Sequence, residues 1–332
     1  MASKRDAVLG ATLEAARLLK QLKAREVVQQ QGGRIDVFSV IVHLGVPLMF
    51  KPLEGLLGAY IPAPNPGILV TTERQLSIQR YTAAHELGHH FMGHRGSLDD
   101  DTILNRSPFD GRNYDQNEVA ANTFAAMFLM PDWLFNLHAV RQHWTPDSLR
   151  NPTTVYQMSL RVGTSYEATC RALQRHGFVD SGLAENLLKV QPREIKKGLV
   201  GNYEPPNWRP NIWVLTERDS GAMIYGEPED VFVVQLKEHS GAGYLWNLDQ
   251  VKAAGFNVVS DQRLIPPPDT DIGGAVDRVL TAQSQQECRG TMEFVEVRPW
   301  DPDDAMARLS FSYEFRREHG IARTARQKVF AA

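Results

Sequence analysis

Two cysteines in 332 residues, Cys170 and Cys288, far apart along the chain, do not make a disulfide framework, and buried or idle thiols are expected. No apolar run approaches the ~20 residues that a membrane-spanning helix needs. The stretch from Met1 to Lys20 has an amphipathic helical pattern with scattered charges, and it lacks the continuous apolar segment of a secretory signal. Neither sign of charge dominates. With 36 Lys and Arg against 39 Asp and Glu the formal net charge is -3, which gives no general pull toward nucleic acid or an anionic membrane. What remains is the composition of a soluble globular protein, 42% hydrophobic and 23% charged, long enough for two or three domains. A cytoplasmic protein is expected.

Against that background, residues 85–89 read His-Glu-Leu-Gly-His inside the run from Tyr81 to Met92. A helix places positions i and i+4 on one face, so His85 and His89 can grip a single metal ion. Glu86 lies one residue round and can reach a metal-bound water as general base. Catalytic zinc takes three protein ligands and keeps one position for water, so a third ligand is required. His94 is one candidate. It lies five residues past His89, about 140° round a continuing helix, and reaches the same ion only if the helix breaks at Gly93. The metzincin spacing would need Gly and His where this chain has Met92 and Arg95. Glu118 is the other candidate. It opens a helical segment, Asp115 to Pro131, and shares a face with Asn122, which can accept a hydrogen bond from the far nitrogen of a ligand His. The same spacing also fits a capping box with Asp115 as N-cap, and spacing alone leaves the two readings level.

Three blocks in order carry a family resemblance: Pro66-Gly67-Ile68-Leu69-Val70, then Gln79 to His89, then Glu118, Ala121-Asn122, Phe124-Ala125-Ala126 and Leu129-Met130-Pro131. The stretch from Gly58 to Pro131 resembles the ImmA/IrrE family of zinc metallopeptidases. That resemblance implies zinc held by His85, His89 and Glu118, with Glu86 as the base. It also implies a helix-turn-helix repressor as substrate, whose cleavage switches on stress or mobile-element genes.

Around these blocks the periodicity predicts a helix over 6–31 with Leu9, Leu13, Ala16, Leu19 and Leu22 as its apolar stripe, and a second from Val37 to Leu44 capped by Asp36. Short strands are expected at 48–51, 57–61 and 68–72, with Tyr60 on an edge strand above the metal. Residues 95–114 are expected to form a mobile loop over the site, with Asp99, Asp100 and Asp101 a solvated face. Residues 154–176 have a helix, a Gly turn and a second helix, a pattern that in DNA-binding proteins would present Tyr166, Thr169, Arg171 or Arg175. Without a basic stripe the expectation is a helical subdomain packed beside the peptidase, not direct DNA binding. Prolines and glycines over 191–221 predict a linker, with a first strand at 212–216.

From about residue 222 the signals turn to strands. Leu309, Phe311, Tyr313 and Phe315 alternate with polar residues, and Val231 to Leu236 and Met292 to Val297 read as further strands of an antiparallel sandwich. Three loops, Gly241-Ala242-Gly243-Tyr244-x-Trp246, Gly273-Gly274 and Arg298-Pro299-Trp300, make this part resemble the chagasin family of cysteine-protease inhibitors. The resemblance implies an immunoglobulin-like sandwich whose loops Gly243, Tyr244, Trp246, Gly273, Gly274, Arg298, Pro299 and Trp300 wedge into a papain-like cleft. Where the family often has Asn-Pro-Thr-Thr-Gly, this chain has His239-Ser240-Gly241-Ala242-Gly243. Core packing is the plain alternative for Tyr244 and Trp246.

The fold expected is therefore α+β and multidomain: a zincin-like helix-plus-antiparallel-sheet peptidase core over 1–143, a helix-turn-helix-like subdomain over 144–190, a linker over 191–221 and an immunoglobulin-like β-sandwich over 222–332. The function expected is a site-specific zinc endopeptidase, with Mn²⁺ or Fe²⁺ as substitutes for Zn²⁺. Its substrate is expected to be a helix-turn-helix repressor, and its C-terminal domain a substrate-recognition, sensing or autoinhibitory element; the alternative is a protease-binding or inhibitory protein acting through the chagasin-like loops, with the zinc site structural or inactive. His138, His143 and Tyr60 are the residues considered for stabilising the oxyanion. The basic tail, Arg316-Arg317 and Arg323 to Lys328, is expected to be solvated.

Overall fold

The computed structural model describes residues 4–100, 115–201, 203–264, 274–284 and 286–321. The chain opens with α1 (Lys4–Gln21) and α2 (Ala24–Gln31), separated where Lys23 takes a left-handed φ of 47°, so the single helix expected over 6–31 is two. The buried face of α1 also differs from expectation. Ala11, Ala15 and Leu18 are buried, while Leu9 and Leu13 are 57% and 60% exposed. Small residues win the buried side because α1 lies against α5, a later helix at Gln116–Leu129. Next come α3 (Val37–His43), β1 (Leu48–Lys51), β2 (Gly58–Ile61) and β3 (Gly67–Thr71). Asp36 caps α3 by accepting from the Ser39 amide at 3.1 Å. The helix α4 (Leu76–Phe91) and the short strand β4 (Ser97–Asp99) follow.

These strands form one sheet of order β13-β1-β3-β2-β4, in which β13 (Gly320–Ile321) arrives from far along the chain. The β1–β3 pair is parallel and the other pairs antiparallel, so the sheet is mixed rather than antiparallel. Tyr60 is not on an edge: β2 is paired on both sides, and β4 is the edge strand. Register cannot be read from three- and four-residue strands, which carry too few alternations.

Beyond α5 the chain is helical: α6 (Asp132–Gln142), a 3-10 turn at Ser148–Arg150, α7 (Pro152–Val162), α8 (Tyr166–Arg175), α9 (Ser181–Lys189) and α10 (Pro192–Leu199). Tyr166 and Thr169 are buried in this packing and cannot reach DNA. In the stretch expected as a linker the chain forms α10 and the strand β5 (Ile212–Leu215). Pro192 opens that helix at its first position, where a proline costs no hydrogen bond.

The remainder is mostly strand: β6 (Met223–Gly226), β7 (Val231–Glu238), β8 (Leu245–Asn247), a short α11 (Asp249–Ala253), β9 (Asn257–Leu264), β10 (Val276–Gln283), β11 (Cys288–Arg298) and β12 (Asp301–Phe315). Two four-stranded sheets result, β5-β7-β10-β9 and β6-β12-β11-β8. They are not wholly antiparallel, because β5 joins β7 and β6 joins β12 in parallel. Leu309, Phe311, Tyr313 and Phe315 are buried between them.

The helical and strand-rich parts share one apolar core, which runs from Ala11 to Phe315. Polar bonds reinforce the join. The open edge of β5 is covered by α7: Tyr156 Oη accepts from the Ile212 amide (3.0 Å), Gln157 bonds Ile212 O (2.7 Å) and Val214 N (2.9 Å), and Arg161 bonds Val214 O (2.9 Å). Arg161 also pairs with Asp219, both buried, at 2.9 Å, and Gln142 donates to the same carboxylate at 2.7 Å. Removing one member of such a pair strands the other charge. Asp219→Ala is therefore expected to destabilise the protein by about 3–5 kcal/mol, read from the midpoint of chemical denaturation.

Candidate metal centre

The site is built where α4 and α5 cross. Gly88 makes the crossing close: a Cβ there would lie 3.1 Å from Ala121 Cα and 3.1 Å from Phe124 Cβ. On the other side β2 passes directly over α4 at Gly58, where a Cβ would meet Thr82 Cγ2 at 2.4 Å and Glu86 Oε1 at 2.9 Å. Two glycines thus let a helix and a strand close onto the face that carries His85, Glu86 and His89.

His85 and Glu86 are fully buried and His89 is nearly so. The Nε2 atoms of His85 and His89 face each other at 3.0 Å. Glu118, from α5, brings Oε2 to 3.4 Å from His85 Nε2 and Oε1 to 3.5 Å from His89 Nε2. Ligand atoms about 2.0–2.1 Å from a tetrahedral ion stand about 3.3 Å apart, so these three residues are spaced to hold one. Glu118 is the third residue of α5, whose expected N-cap, Asp115, accepts from the Asn117 amide at 2.9 Å.

The far nitrogens of both histidines are engaged. His85 Nδ1 lies 3.0 Å from Asn122 Oδ1, which also accepts from Tyr81 Oη at 2.6 Å. His89 Nδ1 lies 3.0 Å from His94 Nδ1. The helix does break at Gly93, φ 66°, but the break turns His94 behind His89 rather than toward the shared pocket. Such partners set the tautomer and ring orientation of a ligand His.

Asp99 overturns its expectation. It is 4% exposed, and its Oδ2 lies 3.2 Å from His85 Nε2. Asp101 and Gly273 lie outside the described residues, as do 101–114 of the expected loop and the tail segment Arg323 to Lys328. Ser97, also on β4, donates to Glu86 Oε2 at 2.8 Å. Sequence reasoning missed Asp99, Ser97, Tyr81 and the place of His94. A three-residue strand inside an acidic run reads as solvated surface, and nothing in its pattern marks the buried position.

The charges are strongly coupled. Burial works against a proton on His85, but the Asp99 and Glu118 carboxylates and the charge of Glu86 outweigh it and push its pKa up to about 10. Burial, with the His85 charge beside it, pushes His89 down to about 4. Burial lifts Glu86 well above the carboxylate range. It opposes ionisation of Asp99 too, yet His85 and Glu86 hold that group down to about 2.

The three residues considered for the oxyanion are not brought to this group. Tyr60 Oη meets His90 Nδ1 at 3.3 Å. His138 is buried among Arg34, Arg141 and Arg161 at the join of the two parts, where burial lowers its pKa to about 3. His143 ends α6 in a left-handed conformation, φ 54°.

Residues 42–174 match the family model of the IrrE N-terminal-like domain, and residues 227–315 match that of the chagasin family peptidase inhibitor I42. The chain joins an IrrE N-terminal-like domain to a chagasin-family domain. The IrrE-like match takes in the whole of His85 to Asn122 and continues through most of α8. Within it the chain is 36% identical over 124 residues to the radiation response metalloprotease IrrE of Deinococcus radiodurans, a stretch covering 36% of each chain. The chain therefore spans about a third of the length of that curated relative. The chagasin-family part is similar to the crystal structure of the cysteine protease inhibitor EhICP2 from Entamoeba histolytica, with 21% identity over 32% of this chain and 98% of that one, TM-score 0.27. It is also similar to the solution structure of Amebosin, with 18% identity over 32% and 99% of the two chains, TM-score 0.27.

In the chagasin-family domain the third loop is a two-residue hairpin turn, Pro299-Trp300, between β11 and β12. Trp300 is 72% exposed, and a Cβ on Gly243 would meet its ring at 2.6 Å, so the first and third loops touch. Arg298 lies 4.4 Å over the Tyr244 ring, and Tyr244 Oη donates to Asp304 at 2.7 Å. Trp246 is the core residue of the pair, 3% exposed, with Nε1 donating to Lys237 O at 2.8 Å. Gly274 is exposed.

Two outcomes follow for metal binding. Asn122→Ala, which frees the His85 ring, is expected to weaken divalent metal binding about 10–100-fold, measured by competition with a chelating dye. With its pKa raised to about 10, His85 carries a proton at neutral pH that the metal must displace. Affinity should therefore rise as pH rises from 7 toward 10, with release of close to one proton in calorimetry across buffers of different ionisation heat.

Proposed function

We propose that the chain is a metal-dependent, site-specific endopeptidase whose centre is held by His85, His89 and Glu118. The observation that carries this reading is the convergence of two imidazoles and one carboxylate at tetrahedral spacing, with a second carboxylate, Glu86, buried beside them. Two nitrogens and one oxygen suit Zn²⁺, and Mn²⁺ or Fe²⁺ can substitute. A bound ion polarises the scissile carbonyl and lowers the pKa of water toward ~7.

The residues supply the rest. Glu86 accepts the proton of the attacking water and passes it to the leaving amine, and Ser97 holds the carboxylate for that exchange. Asn122 and His94 fix the ligand rings. The edge strand β4 offers main-chain groups to an extended peptide. With His85, Glu86 and His89 so deeply buried, the site suits a narrow substrate range rather than general proteolysis. Following the resemblance to ImmA/IrrE peptidases, the substrate class is a helix-turn-helix transcriptional repressor, with derepression of stress or mobile-element genes as the outcome. The chagasin-family domain then serves recognition, sensing or autoinhibition. Among the described residues no helix is long and apolar enough to cross a membrane.

A specific observation favours a second role. Trp300 stands exposed on Gly243 in the loop positions by which chagasin-family inhibitors are recognised, which supports a protease partner for this domain.

Glu86→Gln is expected to bind metal as the wild type does and to lose cleavage by about 10²–10⁴-fold. New protein N-termini in cells expressing the two forms are the readout, and ends that appear equally with both would sink the role of Glu86. For the second role, Trp300→Ala should abolish binding to a papain-class protease in calorimetry while shifting stability by less than about 0.5 kcal/mol. Undiminished binding would remove Trp300 from the interface.

A further inference from the structure

Asp99 stands where the sheet edge meets the ligand group. Its main chain is anchored: it pairs with Gly58 across β2–β4, and its carbonyl accepts from the Leu57 amide at 2.7 Å. Its side chain is buried, and His85 Nε2, 3.2 Å from Oδ2, is not aligned to donate to it, nor is any other donor among the described residues. A buried carboxylate oxygen without a donor is costly, and a cation is the partner that removes the cost. The spacing points the same way. Oδ2 is 3.2 Å from His85 Nε2, His85 and His89 are 3.0 Å apart, and the two Glu118 oxygens stand 3.4 and 3.5 Å from them. An oxygen of Asp99 also lies within 4.8 Å of donor atoms on Glu86 and His89. Asp99 thus borders the His85–His89–Glu118 group from the side of His85, within a ligand's reach of both imidazoles.

We infer that Asp99 is a fourth protein ligand of the metal centre and holds the position that hydrolysis requires for water. This rests on the metallopeptidase reading above. Centres with four protein ligands are closed, and catalytic ones keep one position open. The peptidase is therefore latent while Asp99 is in place. The segment that carries it is weakly held, a three-residue edge strand paired to one neighbour. An extended substrate that adds to this edge engages the strand bearing Asp99, so docking and release of the ligand are linked.

The test uses full-length wild type, Asp99→Asn and Asp99→Ala loaded with Co²⁺. Metal affinity is measured by dye competition, and the visible spectrum is followed as azide is added. The wild type is expected to bind at least about tenfold tighter than Asp99→Ala and to keep its spectrum in azide, while the variants shift as azide enters the vacated position. Should Asp99→Ala fold poorly, the near-isosteric Asp99→Asn carries the comparison. Equal affinities with equal azide shifts in wild type and variant would overturn the assignment of Asp99 alone. Absence of metal binding in the wild type, or full retention in His85→Ala, would overturn the metal centre itself.

Discussion

Three carboxylates and two imidazoles share one buried space, and that crowding of charge is the constraint around which the N-terminal half is arranged. Carboxylates 3–4 Å from one another's partners in a dry pocket repel unless a proton or a cation stands between them. Without a cation the strain is spread over protons: His85 holds one tightly, burial favours the neutral form of Glu86, and His89 gives its proton up. A divalent ion resolves all of these at once. The surrounding structure serves to keep the groups from relaxing apart. Gly88 and Gly58 admit close packing on two sides, Asn122 and His94 brace the rings, and Ser97 holds Glu86.

The chagasin-family domain is fastened to this centre rather than tethered beside it. Tyr156, Gln157 and Arg161 of α7 satisfy the edge of β5, and Asp219 is buried against α7. The start of α4 depends on it as well: the Leu76 amide, one of the unpaired donors at the helix N-terminus, bonds Glu227 at 2.7 Å. The carboxylate that caps the start of α4 therefore belongs to the other domain. A change in how the two domains sit has a short mechanical route to His85 and His89.

The shared face of His85 and His89 was legible because helical period alone sets it, whereas Glu118 was assigned to them by the family resemblance. The strand from Leu309 to Phe315 was equally clear, since its alternation runs unbroken. Legibility failed where burial follows from tertiary contact. Leu9 and Leu13 outrank Ala11 and Ala15 in hydrophobicity, yet the close approach of α5 selects the alanines. Asp99 sits among acidic neighbours on a strand too short to alternate. The parallel pairs β1–β3, β5–β7 and β6–β12 depend on which strands meet, a matter on which local pattern is silent. Proline-rich character over 191–221 hid a helix that begins on a proline.

The last described strand has a consequence of its own. Met49 and Phe50 of β1 pair with Ile321 and Gly320, so one margin of the N-terminal sheet is completed by residues made long after β1 itself. At about 5–20 residues per second this leaves β1 without its outer neighbour for tens of seconds on the ribosome. Through that interval the outer edge of β1 is open to solvent and to chaperones. The N-terminal sheet is then complete only once the chagasin-family part of the chain has been synthesised.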